Sequence, residues 1–115
     1  MKNSVNRVTL MGSLGKDPEI TTFESGKKKA SFSIATNDYY TNDKGERIES
    51  TEWHRAIAWG KDAEYVESHL RKGKRVILEG KLTTHSYEKG EQTHYVTEVR
   101  CNTLQVIASA DTAKE

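Results

Sequence analysis

Both tryptophans of this chain fall in one short stretch, Thr51-Glu52-Trp53-His54-Arg55-Ala56-Ile57-Ala58-Trp59-Gly60-Lys61. They share a parity, and that decides a great deal, because side chains alternate faces along a β-strand. Read as a strand, the stretch sends Trp53, Arg55, Ile57 and Trp59 one way and His54, Ala56 and Ala58 the other. The small residues suit a packed interior. The opposite face then offers two large flat rings with a guanidinium between them, a surface on which nucleobases stack well. The competing assignment turns the strand over, buries both rings and exposes His54, Ala56 and Ala58; tryptophan is usually largely buried. The polar outer positions of the neighbouring strands favour the first.

The rest of the chain reads mostly as strands around this one. Val5 to Leu14 alternates, with Val8 and Leu10 on one face and Arg7, Thr9 and Met11 on the other. Gly12 marks a bulge or a bend. Gly15-Lys16-Asp17-Pro18 predicts a turn. Ile20 to Glu24 is a short strand and Ser25-Gly26 a turn. Lys27-Lys28-Lys29 follows, either as a solvated turn tip or as a phosphate contact. Ala30 to Ala35 alternates with Ala30, Phe32 and Ile34 inward. Asn37 to Ser50 is rich in Asn, Asp, Lys, Glu and Gly and reads as a long hairpin loop, with Tyr39 and Tyr40 near its base.

After the tryptophan strand the period changes. Ala63, Val66 and Leu70 make a helical stripe over Lys61 to Leu70. Arg71 and Lys72 fall in its last turn, and Gly73 is placed to cap it in the left-handed conformation. Val76 to Leu82 is the most apolar strand, with Gly80 as a bulge, and it continues to Tyr87. Glu88-Lys89-Gly90-Glu91 is a hairpin turn. His94 to Val106 is the last strand, with Tyr95, Thr97, Val99 and Cys101 on one face. This order predicts an all-β domain over residues 1–108: an OB-fold, a five-stranded Greek-key barrel with one short helix between strands 3 and 4. Residues 109–115 are expected to form a short flexible tail.

Composition narrows the function. A chain of 115 residues with 34% hydrophobic and 30% charged residues suits a single domain with a thin core, which partner subunits would help to cover. The net charge of +1 means that any anion site must come from local arrangement. Cys101 stands alone, so there is no disulfide framework. The polar start shows no signal peptide, and no run is long enough to span a bilayer; a cytoplasmic protein is expected. His54, His69, His85 and His94 lack metal-ligand spacing. No nucleophile or phosphate-loop motif and no carboxylate pair is present. No metal, no cofactor and no enzymatic activity are expected.

The candidate site is therefore a binding face. Trp53 and Trp59 stack bases, with Arg55 on phosphate or stacking itself. Tyr40 and Tyr87, at the mouths of the flanking hairpins, extend the path or simply pack in their strands; Tyr39 is next to Tyr40 and can exchange roles with it. Arg7, Lys61, Arg71, Lys72 and Lys74 are candidate phosphate neutralisers, although Arg71 and Lys72 also have a helix-capping role open to them. An oligomeric OB-fold module whose aromatic face meets another protein is the alternative.

Several stretches together resemble the bacterial single-stranded DNA-binding protein family. They are Val5-Asn6-Arg7-Val8 with Gly12-Ser13-Leu14-Gly15-Lys16-Asp17-Pro18-Glu19, Thr51-Glu52-Trp53-His54-Arg55 with Trp59-Gly60-Lys61, Leu70-Arg71-Lys72-Gly73, Glu79-Gly80-Lys81-Leu82, and Thr97-Glu98-Val99. The resemblance runs to about Val106. It implies an OB-fold, a homotetramer, and sequence-independent wrapping by single-stranded DNA in replication, recombination and repair, within the nucleoid. It places the stacking aromatics on Trp53, Trp59, Tyr40 and Tyr87. In better-known relatives tryptophan stands at the positions of Tyr40 and Tyr87, and phenylalanine at that of Trp59. Basic positions fall on Arg7, Arg55, Lys61, Arg71 and Lys72, and His54 matches a subunit-interface histidine. Thr83 and His85 replace residues that are often basic. The disordered linker and acidic, phenylalanine-ended tip of typical members have no match in Ala110 to Glu115, so recruitment of replication or repair enzymes through a tail is not expected.

Overall fold

The computed structural model describes residues 3–109; Ala110 to Glu115, most of the expected tail, lie outside the described residues. The elements in chain order are β1 (Val8–Leu14), β2 (Glu19–Thr22), β3 (Lys28–Thr41), β4 (Arg47–Trp59), α1 (Lys61–His69), β5 (Lys74–Lys89) and β6 (Gln92–Ser109). The sheet order is β1-β5-β6-β4-β3-β2, and β1 also pairs with β3. That last pairing closes β1, β5, β6, β4 and β3 into a five-stranded OB barrel. β2 is a four-residue strand added outside the ring on β3. Counting barrel strands alone, α1 lies between the third and fourth, as the sequence predicts.

Two long antiparallel hairpins supply most of the ladder. β3 pairs with β4 from Lys29↔Trp59 to Thr41↔Arg47, and β5 pairs with β6 from Lys74↔Ser109 to Lys89↔Gln92. The ring is closed elsewhere by short seams. β1 meets β3 at Ser13↔Ala35 and Leu14↔Ile34, and β4 meets β6 in parallel at Ala56↔Val99 and Ile57↔Arg100. Gly12 serves a close approach, not a bulge in the β1–β5 ladder: a Cβ there would lie 2.1 Å from the Ala35 carbonyl oxygen. Gly80 does sit at a break in register, and a Cβ there would lie 2.1 Å from the Arg100 carbonyl oxygen.

The core follows the predicted alternation. Ala30, Phe32 and Ile34 of β3 and Ala56 and Ala58 of β4 are buried together with Leu14, Val76, Leu78, Val99 and Cys101. Helix α1 closes one end of the barrel by adding Ala63 and Val66, and Leu70 just past its end completes the lid. Asp62 and Glu64 lie in its first turn, where the helix dipole favours acid. Burial pushes the Cys101 thiol up to about 12, with Asp62 adding to the effect, so this cysteine is an inert core residue.

Three expectations need correction. Asn37 to Ser50 is not a loop: both strands continue through it, and only Asn42 to Glu46 turn the chain. Asn42 builds that turn, its side-chain oxygen accepting from the Lys44 and Glu46 amides, both at 2.9 Å. Cross-strand polar pairs hold the arm where apolar alternation is missing. Thr51 donates to Asn37 at 2.8 Å and Tyr39 to Glu49 at 3.1 Å. Gly73 is left-handed, φ 87°, but it is not the helix cap. Leu70 is already extended at the C-cap, and Gly73 belongs to the turn that follows, its amide donating to the Leu14 carbonyl at 3.0 Å. On β6 the predicted face of Tyr95, Thr97, Val99 and Cys101 is buried only at Val99 and Cys101; Tyr95 is exposed. That part of the β5–β6 hairpin reaches beyond the core.

Candidate nucleic-acid interface

The site is built on β4. Register fixes which residues share its outer face. Trp53 sits opposite Ala35, Arg55 opposite Ser33, Ile57 opposite Ser31 and Trp59 opposite Lys29. Paired residues project to the same side of a sheet, so small partners flank Trp53, Arg55 and Ile57. Trp53 is left 59% exposed. Its ring nevertheless has a close neighbour: a Cβ added to Gly15 would lie 2.5 Å from it. The glycine thus meets the outer edge of the ring, at Cη2 and Cζ3, and most of the ring stays open. Ile57 departs from expectation, being buried at 6% exposure though it shares the face; it lies at the β4–β6 seam, where it pairs with Arg100.

Trp59, at the other end of the face, is half-buried. Phe23 stacks near it, with ring centroids 6.0 Å apart and planes 19° from parallel. The ammonium groups of Lys27 and Lys29 lie 4.8 Å and 5.6 Å from its ring centre. Phe23 is a residue the sequence reading missed; an apolar residue in the otherwise polar turn Thr22-Phe23-Glu24-Ser25-Gly26 was the available signal.

Between the tryptophans, Arg55 donates through Nε to Glu98 Oε2 at 3.0 Å, and His85 Nε2 lies 3.0 Å from Glu98 Oε1. Glu98 is 4% exposed, while about half of each partner side chain remains in solvent. The carboxylate therefore fixes two outward-facing nitrogen bases across β4, β5 and β6. Glu98 was also missed, because alternation along β6 gives no hint of partners so distant in sequence. Tyr87 lies two residues beyond His85 on the same face of β5. It is 48% exposed and stacks on its cross-strand partner His94 at 5.3 Å.

The remaining candidates are placed less centrally. Tyr40 is 57% exposed, but it has the parity of Phe32 and Ile34. Tyr39 has the parity of Ala35, Trp53's partner, and Arg47 sits 4.1 Å over its ring. Lys61 begins α1 beside Lys27, Lys28 and Gly60. Arg71 donates to the Glu67 and Leu70 carbonyls at 2.8 Å and 2.6 Å, which is a helix-capping role. The Lys72 amide donates to Asp17 at 2.8 Å and its side chain is exposed, while Lys74 opens β5. Arg7 is exposed and pairs with Glu79 at 3.4 Å, on the β1–β5 side; β1 and β4 are not neighbours in the ring. His54 has the inward parity and lies 2.8 Å from the Thr36 hydroxyl, on the side away from Trp53.

A closed OB barrel with an open aromatic face crossed by cations belongs to the oligonucleotide-binding class of folds. Comparison with known proteins makes this specific. Residues 5–107 match the Single-strand binding protein family, and the chain belongs to that family. It is 38% identical, over 96% of its own length and 70% of the relative's, to Single-stranded DNA-binding protein 1 of Chlorobaculum tepidum. Among solved structures it resembles the Plasmodium falciparum SSB complex with ssDNA, with TM-score 0.82, 31% identity, and 94% and 97% of the two chains covered. It also resembles a deletion mutant of the Thermus aquaticus single-stranded DNA binding protein, with TM-score 0.78, 26% identity, and 90% and 50% covered. Among the described residues no helix is long and apolar enough to cross a membrane.

Proposed function

We propose that this protein is a non-enzymatic coat for single-stranded DNA, serving replication, recombination and repair in the nucleoid-containing cytoplasm. The observation that carries the proposal is the open Trp53 ring, in line with Arg55 and Trp59 on one strand of a family barrel. Trp53 to Trp59 spans roughly 20 Å of strand, enough to seat several stacked nucleotides. Each base on an aromatic contributes about 1–3 kcal/mol without regard to sequence. Arg55, held but not covered by Glu98, meets the backbone. Tyr87 and His85 continue the path along β5. Tyr40 and Tyr39 stand on opposite faces of a hairpin arm that is exposed on both, so a strand crossing the arm meets one or the other. Lys61, Arg71, Lys72 and Arg7 neutralise phosphate farther along a wrapped strand.

The assembly is proposed to be a homotetramer, with His54 toward a subunit contact. Its support is the outer face of β1, β5 and β6, where Met11 at 56%, Ile77 at 39% and Ile107 at 48% are exposed. Sedimentation of the free protein checks this, and a monomer at micromolar concentration would refute it. The primary experiment is a fluorescence titration with oligo-dT and with duplex of equal length, at low and high salt. Quenching by the single strand alone, weakened by salt, is the expected result. An unchanged signal together with no binding by anisotropy would refute the coat and transfer the aromatic face to a protein partner.

A further inference from the structure

The sequence leaves Lys27-Lys28-Lys29 between two readings, and the structure divides the three lysines by alternation. Lys28 crosses to α1 and pairs with Glu67, whose carboxylate holds the ammonium above its usual range. Lys27 and Lys29 go the other way, over Trp59. Among the described residues neither has an acidic salt-bridge partner. Two ammonium groups are thus held beside one aromatic ring, without the ion pair that occupies Lys28.

The surrounding backbone fixes the place of these side chains. The β2–β3 turn closes through Phe23 N–H to the Lys27 carbonyl at 2.9 Å and Gly26 N–H to the Phe23 carbonyl at 2.8 Å. The β4–α1 junction is tied to the same place by Gly60 N–H donating to the Lys28 carbonyl at 3.0 Å. Gly26 and Gly60 both have positive φ, and nothing lies within 4 Å of where a Cβ would be on either. The shallow hollow between them is lined by Lys27, Lys28, Lys61 and Glu64 as well, and not by Phe23, Trp59 or Lys29, so it lies on the α1 side. Phe23, 43% exposed, forms the apolar wall beside Trp59.

We infer that Phe23, Trp59, Lys27 and Lys29, with Lys61 at the margin, form a distinct nucleotide subsite at the end of β4. There Phe23 and Trp59 present the apolar wall to one base and the lysines hold the adjoining phosphodiester. The inference rests on the single-strand-binding reading and adds a place and a division of labour to it. At the Trp53 end stacking dominates. At the Trp59 end phosphate contact dominates, with the ring serving to hold the lysines in place as much as to meet a base.

The test compares the full chain with Lys27→Gln, the double variant Lys27→Gln/Lys29→Gln, and Lys28→Gln, in titrations with oligo-dT across a salt series. For single strands, each phosphate deprived of its cation flattens the slope of log K against log salt by about 0.7. The double variant should therefore flatten the slope by about 1.4, the single variant by about half of that, and Lys28→Gln not at all. Phe23→Leu, which keeps the wall apolar but removes the ring, should weaken binding several-fold at every salt concentration, leaving the slope unchanged. Trp53-dependent quenching should persist in all four. Wild-type slopes in Lys27→Gln and in a folded double variant would overturn the subsite while leaving the coat intact. Should the double variant not fold, Lys27→Gln alone decides, since Lys27 is exposed in a turn. Absence of binding by the unmodified protein would overturn the coat itself, and the subsite with it.

Discussion

Trp53 and Trp59 occupy one face of one strand, yet the protein presents them differently. Trp53 has small neighbours across the ladder and a glycine at its ring edge, so most of the ring is open. Trp59 has a phenylalanine and two ammonium groups around it and is half-buried. The same side chain is thus a bare platform at one end and the centre of a furnished cluster at the other. Residue type and parity locate a binding face; neighbours brought from other elements decide what each position on it does.

That contrast can be broken by mutation. The largest expected effect is Trp53→Ala, which should lower affinity for oligo-dT by about 1–3 kcal/mol and remove much of the fluorescence response, with little change in Tm because the ring is mostly exposed. Next is Gly15→Val, which crowds the outer edge of the Trp53 ring. Overpacking of this kind costs about 1–3 kcal/mol, and part of it should appear as weakened binding through a displaced ring, read by titration and by a shift in Trp53 emission. Retained affinity would mean that the contact with Gly15 is incidental. Trp59→Ala should differ by acting on stability too. Removing the ring that stacks with Phe23 should cost about 0.5–1.5 kcal/mol, visible as a lower Tm, whereas Trp59→Phe should restore most of it.

The smallest effect belongs to Lys28→Met. The variant should bind DNA normally and differ only in lacking the ion pair with Glu67. Because the folded pKa of Lys28 is raised, its contribution to stability is full below the ordinary lysine range and fades as pH climbs through the folded value. Melting curves of wild type and variant should therefore differ at neutral pH and converge at strongly alkaline pH.

The β4 face was legible because a strand's parity is a local property. The same holds for the Ala63, Val66 and Leu70 stripe and for Gly80. What escaped depends on partners distant in sequence. Phe23 and Trp59 meet only after β2 has been added to β3 and β3 has paired with β4. Arg55 and Glu98 meet only after the ring has closed. The Asn37 to Ser50 segment looked like a loop because its composition is polar, and its strand character comes from cross-strand partners such as Tyr39 with Glu49 and Thr51 with Asn37. Tyr40 illustrates a further limit: resemblance to the family places an aromatic there, but only the register reveals that it shares the parity of Phe32.

The barrel's seams give the molecule uneven breathing. Two hairpins with long ladders are joined between β4 and β6 by two residue pairs only. Local openings proceed from the least-secured parts of a structure, so amide hydrogen exchange is expected to enter through the short seams, this one and the β1–β3 seam, before it enters the hairpins. The side-chain brace across the junction is Arg55 on Glu98, and it faces the proposed ligand. A barrel loosening there would do so beneath the strand it holds, and occupancy of the face and closure of the ring would be felt by the same guanidinium.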